Sequence, residues 1–162
     1  MPYQYLTNLT VEVDNLRKFI ETVPGKKWHY WTNPRGKQVQ NYQQVYYKDL
    51  EQTEFVENIV SQLPVDLELG PVVFLKYNPW ATLKPHTDWS NKSAILIGIS
   101  KNSDIFFWED SNKTQVKYTH PIFANLEKTH SVENNSDQIR FLLKIPTIFS
   151  FNDTMKKIEG LK

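Results

Sequence analysis

The sequence predicts a mainly β protein, a double-stranded β-helix (jelly roll) with two supporting helices ahead of it. Three observations carry this. About eight short apolar segments follow one another between residues 70 and 146, at the spacing of a two-sheet roll. Turn-forming clusters separate them, at 91–92, 101–103, 110–113 and 134–137. Before residue 70, two stretches carry apolar residues at helical spacing. With 162 residues the chain reads as one domain, long enough to bury a core. Residues 1–69 supply the helices and an aromatic loop, 70–146 the roll, and 147–162 a tail.

Taken in order, residues 3–13 alternate loosely, as a strand does. Asp14 has the character of an N-cap, and Leu16, Phe19, Ile20 and Val23 form one apolar helical face that Pro24-Gly25 ends. Residues 26–48 are rich in Trp and Tyr around a turn at Asn33-Pro34-Arg35-Gly36. Two readings stand for them: a segment that closes over a substrate, or one that packs on the outside of the roll. Asp49 with Gln52 fits a capping box for a second helix, whose buried stripe is Phe55, Val56, Ile59, Val60 and Leu63. The strands then run over 72–77, 83–88, 93–100, 104–108, 114–118, 121–125, 129–133 and 138–145. The tail from residue 149 reads as a short strand followed by a helix.

Composition narrows the function. Net charge is +1 with no long basic run, which argues against nucleic acid as a partner. No cysteine is present, so disulfides, thiolate ligands and thiol nucleophiles are excluded and any metal must use His and carboxylates. Met1-Pro2-Tyr3-Gln4-Tyr5 lacks the features of a signal peptide, and no apolar run is long enough to span a bilayer. The expectation is a soluble, cytoplasmic protein without a membrane partner.

The chemistry-bearing stretch is Lys84-Pro85-His86-Thr87-Asp88. On an extended strand, favoured here by Pro85, His86 and Asp88 point to the same face. His130 follows on a later strand and Arg140 on the next. Two imidazoles and one carboxylate can hold one face of a six-coordinate Fe(II) and leave the opposite positions open. A guanidinium nearby can grip a carboxylate through two parallel hydrogen bonds. Taken alone, His86 and Asp88 read more readily as a surface pair than as metal ligands, and Arg140 as the partner of a buried acid. Alternation puts Ile139, Phe141 and Leu143 on one face of the last strand and Arg140, Leu142 and Lys144 on the other.

The constellation His86-x-Asp88, His130 and Arg140 resembles the 2-oxoglutarate- and Fe(II)-dependent dioxygenases, especially their prolyl-hydroxylase-like and aspartyl/asparaginyl-hydroxylase-like branches, over residues 70–146. The resemblance implies a cupin-like roll in which His86, Asp88 and His130 hold Fe(II). It selects His130 over His120, because the family places its Arg about one turn-and-strand beyond the second His. It also implies that Arg140, with Tyr77, anchors the distal carboxylate of 2-oxoglutarate. O2 would be consumed and an amino acid or peptidyl side chain hydroxylated, with succinate and CO2 as coproducts. Two positions depart from the family pattern. Leu142 stands where a Ser is common, and Asn78-Pro79-Trp80-Ala81 lacks the usual glycine. Tyr77 also reads as a core aromatic, and Trp80, Lys84, Trp89 and Trp108 are candidates for the substrate mouth.

Two rival readings use the same residues. A non-redox cupin-like protein would bind a metal or a small carboxylate, although it has no need of Arg140. A hydrolytic metalloenzyme would need a general base such as Glu109 or Glu133.

Overall fold

In a computed structural model of the chain, the described residues are 1–32, 35, 38–101 and 103–162, with the backbone alone for 39–41. Eleven strands and three helices form along the described chain. They are β1 (Tyr3–Tyr5), α1 (Val13–Glu21), β2 (His29–Thr32), β3 (Gln38–Tyr46), α2 (Glu54–Val60), β4 (Val73–Tyr77), β5 (Thr82–His86), β6 (Ser93–Gly98), β7 (Asp104–Glu109), β8 (Asn112–Lys117), β9 (Ile122–Asn125), β10 (His130–Glu133), β11 (Arg140–Thr147) and α3 (Phe151–Lys157). The major sheet has seven strands in the order β1-β9-β6-β11-β4-β3-β2, and the minor sheet four in the order β5-β10-β7-β8. Every pairing is antiparallel. This is the jelly roll the sequence predicts.

The major sheet is covered on both faces, which explains why β6 reads as an unbroken apolar run. Ile95 and Ile97 point outward with Phe141, Leu143 and Ile145, onto Leu16 and Ile20 of α1, Val56 and Ile59 of α2 and Phe151 of α3. Ala94 and Leu96 point inward with Leu75, Tyr77 and Leu142, against Ile105, Phe107, Val116 and Val132 of the minor sheet. The helices therefore brace one side of the major sheet, and the roll's interior lies on the other. β5 is an edge strand of the minor sheet, where Pro85 can sit without costing the ladder a hydrogen bond.

The N-terminal third differs from its sequence reading in four ways. Strand β1 covers only Tyr3–Tyr5 of the expected 3–13. Helix α1 begins one residue before Asp14, which lies in its first turn and accepts from Arg17 Nη1 at 2.6 Å instead of capping. The Asp49 capping box is not formed. Tyr47–Asp49 is a separate 3-10 turn, Leu50 is extended, and α2 starts after Thr53, whose hydroxyl donates to Glu57 at 2.9 Å. Residues 26–48 are less a loop than a hairpin, because β2 and β3 pair with each other and β3 pairs with β4, widening the major sheet. Of the turn expected at 33–36, residues 33, 34 and 36 lie outside the described residues, as does Asn102 of the turn at 101–103.

The tail also departs from expectation. β11 runs on to Thr147, no further strand follows, and Ser150 caps α3 by accepting from the Asp153 N–H. Among the described residues no helix is long and apolar enough to cross a membrane.

Candidate metal centre

His86 ends β5 and His130 opens β10, and the two are direct register partners across the minor sheet. Their rings lie 4.4 Å apart between centroids. Asp88 follows β5 by two residues, beyond the strand, and its N–H is fixed by the Leu126 carbonyl at 2.9 Å. Its Oδ1 lies 3.3 Å from His86 Nε2 and 3.8 Å from His130 Nε2. One ligand atom from each of the three residues falls within 4.8 Å of the others.

Both imidazoles are oriented by main-chain carbonyls. His86 Nδ1 donates to Lys84 O at 2.8 Å and His130 Nδ1 to Lys128 O at 2.9 Å. A histidine held in this way presents its Nε2 lone pair, the form that binds a metal. Burial pushes the His130 imidazole down to about 4, only partly offset by the Lys128 carbonyl and the Asp88 charge. His86 is also opposed by burial, but the Asp88 hydrogen bond, the Lys84 carbonyl and the Asp88 charge together raise it. Burial alone would raise Asp88, and the His86 hydrogen bond and the Lys144 charge outweigh it, so the carboxylate titrates well below its ordinary range. The set therefore aims a carboxylate, the neutral His130 imidazole and the His86 ring at one point, and a metal there would displace the proton that Asp88 favours on His86 Nε2. Their chemistry fits a divalent ion that takes mixed nitrogen and oxygen ligands, such as Fe(II).

Behind the three ligands the roll's interior holds a narrow cavity lined by Tyr77, Ile105, Tyr118 and Leu142. Beside two of these lining residues stands Arg140, 4% exposed, the register partner of Tyr77 with its guanidinium 5.7 Å from that ring. The fork is partly occupied. Nη1 donates to Asp104 Oδ1 at 3.4 Å and to Glu133 O at 3.1 Å, and Nη2 donates to the Asp104 carbonyl. Among the described residues, two buried side-chain polar atoms have no hydrogen-bond partner, Arg140 Nε and the Tyr118 hydroxyl. They belong to neighbouring groups, the guanidinium carbon lying 5.8 Å from the Tyr118 ring. Buried donors are rarely left unpaired, and two together beside a cavity suit a small carboxylate.

On the other side of the triad a cleft of about 530 Å³ opens to solvent between Trp31, Tyr42, Tyr46 and Trp89, with Lys144 and Asp88 in its wall. Of the four mouth candidates, Trp89 lines it, 96% exposed. Trp108 instead donates from Nε1 to Ser131 Oγ at 2.8 Å, Trp80 is exposed at a positive-φ turn (φ 61), and Lys84 contributes its carbonyl to His86. Trp31, Tyr42 and Tyr46 show that the 26–48 hairpin reaches the cleft, while Trp28 from the same segment packs outside, against Phe141. The segment thus packs on the outside of the roll through Trp28 and also lines the cleft.

His120 is exposed beside Tyr5 and takes no part. Glu133 pairs with Lys113 at 2.5 Å, and Glu109 is exposed at the end of β7, so neither faces the ligands as a general base. Sequence reasoning missed Tyr118, Asp104 and Lys144. Alternation placed Lys144 on the Arg140 face, but nothing in the sequence told that its ammonium would meet Asp88.

No protein-family pattern and no curated protein sequence matches the chain. Solved structures do. A prolyl hydroxylase from Trichoplax adhaerens, in complex with a hypoxia inducible factor oxygen degradation domain peptide fragment, superposes with a TM-score of 0.64 at 10% identity, covering 99% of this chain and 87% of that one. The viral collagen prolyl hydroxylase of Paramecium Bursaria Chlorella virus-1, as its 2-oxoglutarate complex, gives 0.63 at 12% identity, over 91% of this chain and 96% of that one. JOX2 in complex with 2-oxoglutarate, Fe and JA gives 0.66 at 14% identity, over 90% and 67%. The chain shares the fold of these oxygenases.

Proposed function

We propose that this chain is an Fe(II)- and 2-oxoglutarate-dependent dioxygenase that hydroxylates an amino acid or peptidyl side chain. His86, Asp88 and His130 would hold the iron. The observation that carries the reading is the conjunction of three features: a His-Asp-His ligand set, a narrow cavity that it lines together with Tyr77 and Tyr118, and two unpartnered buried donors, the Tyr118 hydroxyl and the Nε of the neighbouring Arg140. A metal-only protein needs the first and neither of the others.

In this reading the chain's own residues divide the work. Arg140 Nε and the Tyr118 hydroxyl take the distal carboxylate of 2-oxoglutarate, and the apolar walls Ile105 and Leu142 keep water from its length. Tyr77 packs against the guanidinium and helps to hold its plane. The Lys84 and Lys128 carbonyls fix the two imidazoles, and the cleft between Trp31 and Trp89 receives the substrate. When bound, iron with its keto-acid cosubstrate supplies the oxidative power, consuming O2 and releasing succinate and CO2 as a C–H bond becomes C–OH. The prolyl hydroxylase bound to a peptide fragment among the similar folds supports an amino acid or peptidyl substrate.

The test is an anaerobic titration with Fe(II) and then 2-oxoglutarate, following the visible charge-transfer absorption of the chelate, with His130→Ala alongside. A band in wild type that is lost in the variant is expected. Metal uptake without a band would replace the oxygenase with a metal- or carboxylate-binding protein of the same fold.

A further inference from the structure

Lys144 is the one cation whose ammonium touches the ligand set among the described residues. It stands on β11, on the same inward face as Arg140 and Leu142, where the strand passes behind Asp88. Its Nζ donates to Asp88 Oδ2 at 2.7 Å, and the pair is largely enclosed, with 15% and 19% of the two side chains exposed. The other carboxylate oxygen, Oδ1, is the one that faces both imidazole nitrogens. The two oxygens of Asp88 are therefore already divided between a cation and the ligand site.

The geometry points to Lys144 as a positioning residue that neutralises Asp88 through Oδ2, so that a metal bound at Oδ1 keeps its positive charge for an anionic keto-acid cosubstrate. This rests on the proposed function and deepens it. With Oδ2 turned to the ammonium and Oδ1 to the imidazoles, Asp88 is oriented to ligate through one oxygen, which leaves ligand positions open on the metal. The charge balance follows from the groups present. Asp88 contributes one negative charge and Lys144 one positive, so two neutral imidazoles and a divalent ion give a centre with the ion's full double charge. The keto-acid end of 2-oxoglutarate brings one negative charge to that centre, its distal carboxylate lying at Arg140, and is attracted more strongly than to a centre that Asp88 alone has left singly charged. The ammonium also repels the bare metal, and across a single carboxylate that repulsion outweighs what is gained by holding the carboxylate still. Lys144 thus weakens metal binding and strengthens cosubstrate binding.

Those opposite signs make the test. Mn(II) serves as a redox-inert metal, with binding followed by loss of the free-ion electron paramagnetic resonance spectrum. Calorimetry then measures 2-oxoglutarate on the Mn(II)-loaded protein. Lys144→Met is expected to bind Mn(II) about tenfold more tightly than wild type, as relief of the ammonium–metal repulsion, and, once loaded, to bind 2-oxoglutarate about tenfold more weakly. Lys144→Gln, which keeps a donor without the charge, should follow Lys144→Met, whereas Lys144→Arg should follow wild type. Should the Met variant fail to fold, the Gln and Arg variants carry the same comparison. Affinities that move together, that do not move, or a Gln variant that tracks wild type would overturn the inference while leaving the proposed function standing. Wild type that takes up neither Mn(II) nor 2-oxoglutarate would overturn both.

Discussion

Arg140 is bonded to both ends of Asp104, donating from Nη1 to the carboxylate and from Nη2 to the main-chain carbonyl. The pairing joins β11 of the major sheet to the first residue of β7 in the minor sheet, and so ties the two sheets together next to Tyr77 and Tyr118. Two readings that looked exclusive in the sequence, a structural ion pair and a carboxylate anchor, are compatible in one side chain. The fork's terminal nitrogens serve the fold, and Nε is left over.

Arg140→Ala should therefore fail on both counts. Removing one member of an enclosed ion pair strands the other, a loss of about 3 kcal/mol. Urea denaturation should show that loss in ligand-free protein, and calorimetry on metal-loaded protein should show no 2-oxoglutarate binding. A variant as stable as wild type would mean that the Asp104 contact contributes nothing to the fold.

Tyr118→Phe separates the two roles from the other side. Its hydroxyl is buried without a partner, so deleting it from ligand-free protein removes a desolvation cost and should leave stability unchanged or raise it by about 1 kcal/mol. The same variant should bind 2-oxoglutarate more weakly, by about tenfold, the worth of one hydrogen bond to a charged group. Stability and affinity moving down together would place the hydroxyl in the fold rather than in the cosubstrate pocket.

Gly98 is what makes room for that tyrosine. A Cβ added there would lie 2.7 Å from Tyr118 Cβ and 3.1 Å from Ser103 Cβ, and neither atom can swing away as a flexible side-chain tip would. Gly98→Ala should cost about 2 kcal/mol from overpacking and weaken 2-oxoglutarate binding through displacement of Tyr118. Melting temperature and calorimetry read the two effects. Gly25→Ala, with nothing within 4 Å of its new Cβ, is the matched control.

The roll was legible because its central strands are buried on both faces and read as apolar runs, like β6 and β11, and turn residues stand between them. The His86, Asp88 and His130 cluster could be anticipated because strand pairing brings His86 and His130 into register, and spacing plus resemblance is a fair proxy for register. What stayed hidden depends on which side chains meet across the two sheets. Asp104 and Tyr118 read as ordinary strand-edge residues until the minor sheet folds over Arg140. Asn134 read as a turn residue, yet its buried amide donates to the Asn78 and Gln138 carbonyls at 2.9 and 2.8 Å and pins the loop after β4 to the start of β11. Helix starts were misplaced for a local reason, since Asp14 and Asp49 can cap a helix but a neighbouring partner or an extended Leu50 decided otherwise.

The two histidines give the metal-free protein opposite dependences on pH. Burial holds the His130 imidazole at about 4, below its ordinary 6.5, so between these values the unfolded chain takes up a proton that the folded protein refuses. Stability then falls as pH drops from 6.5 towards 4, by roughly 3 kcal/mol in all. His86 is raised, so its contribution is complete below pH 6.5 and is lost as pH climbs through its folded value. Asp88, held below its ordinary 3.8, loses its contribution only under more acidic conditions. Stability in the presence of a chelator should peak near pH 6.5. Urea denaturation across pH 4 to 9 checks this directly, with His130→Gln expected to remove the acid-side loss and His86→Gln the alkaline-side loss. An acid limb that survives in His130→Gln would show that another group, and not the buried imidazole, controls it.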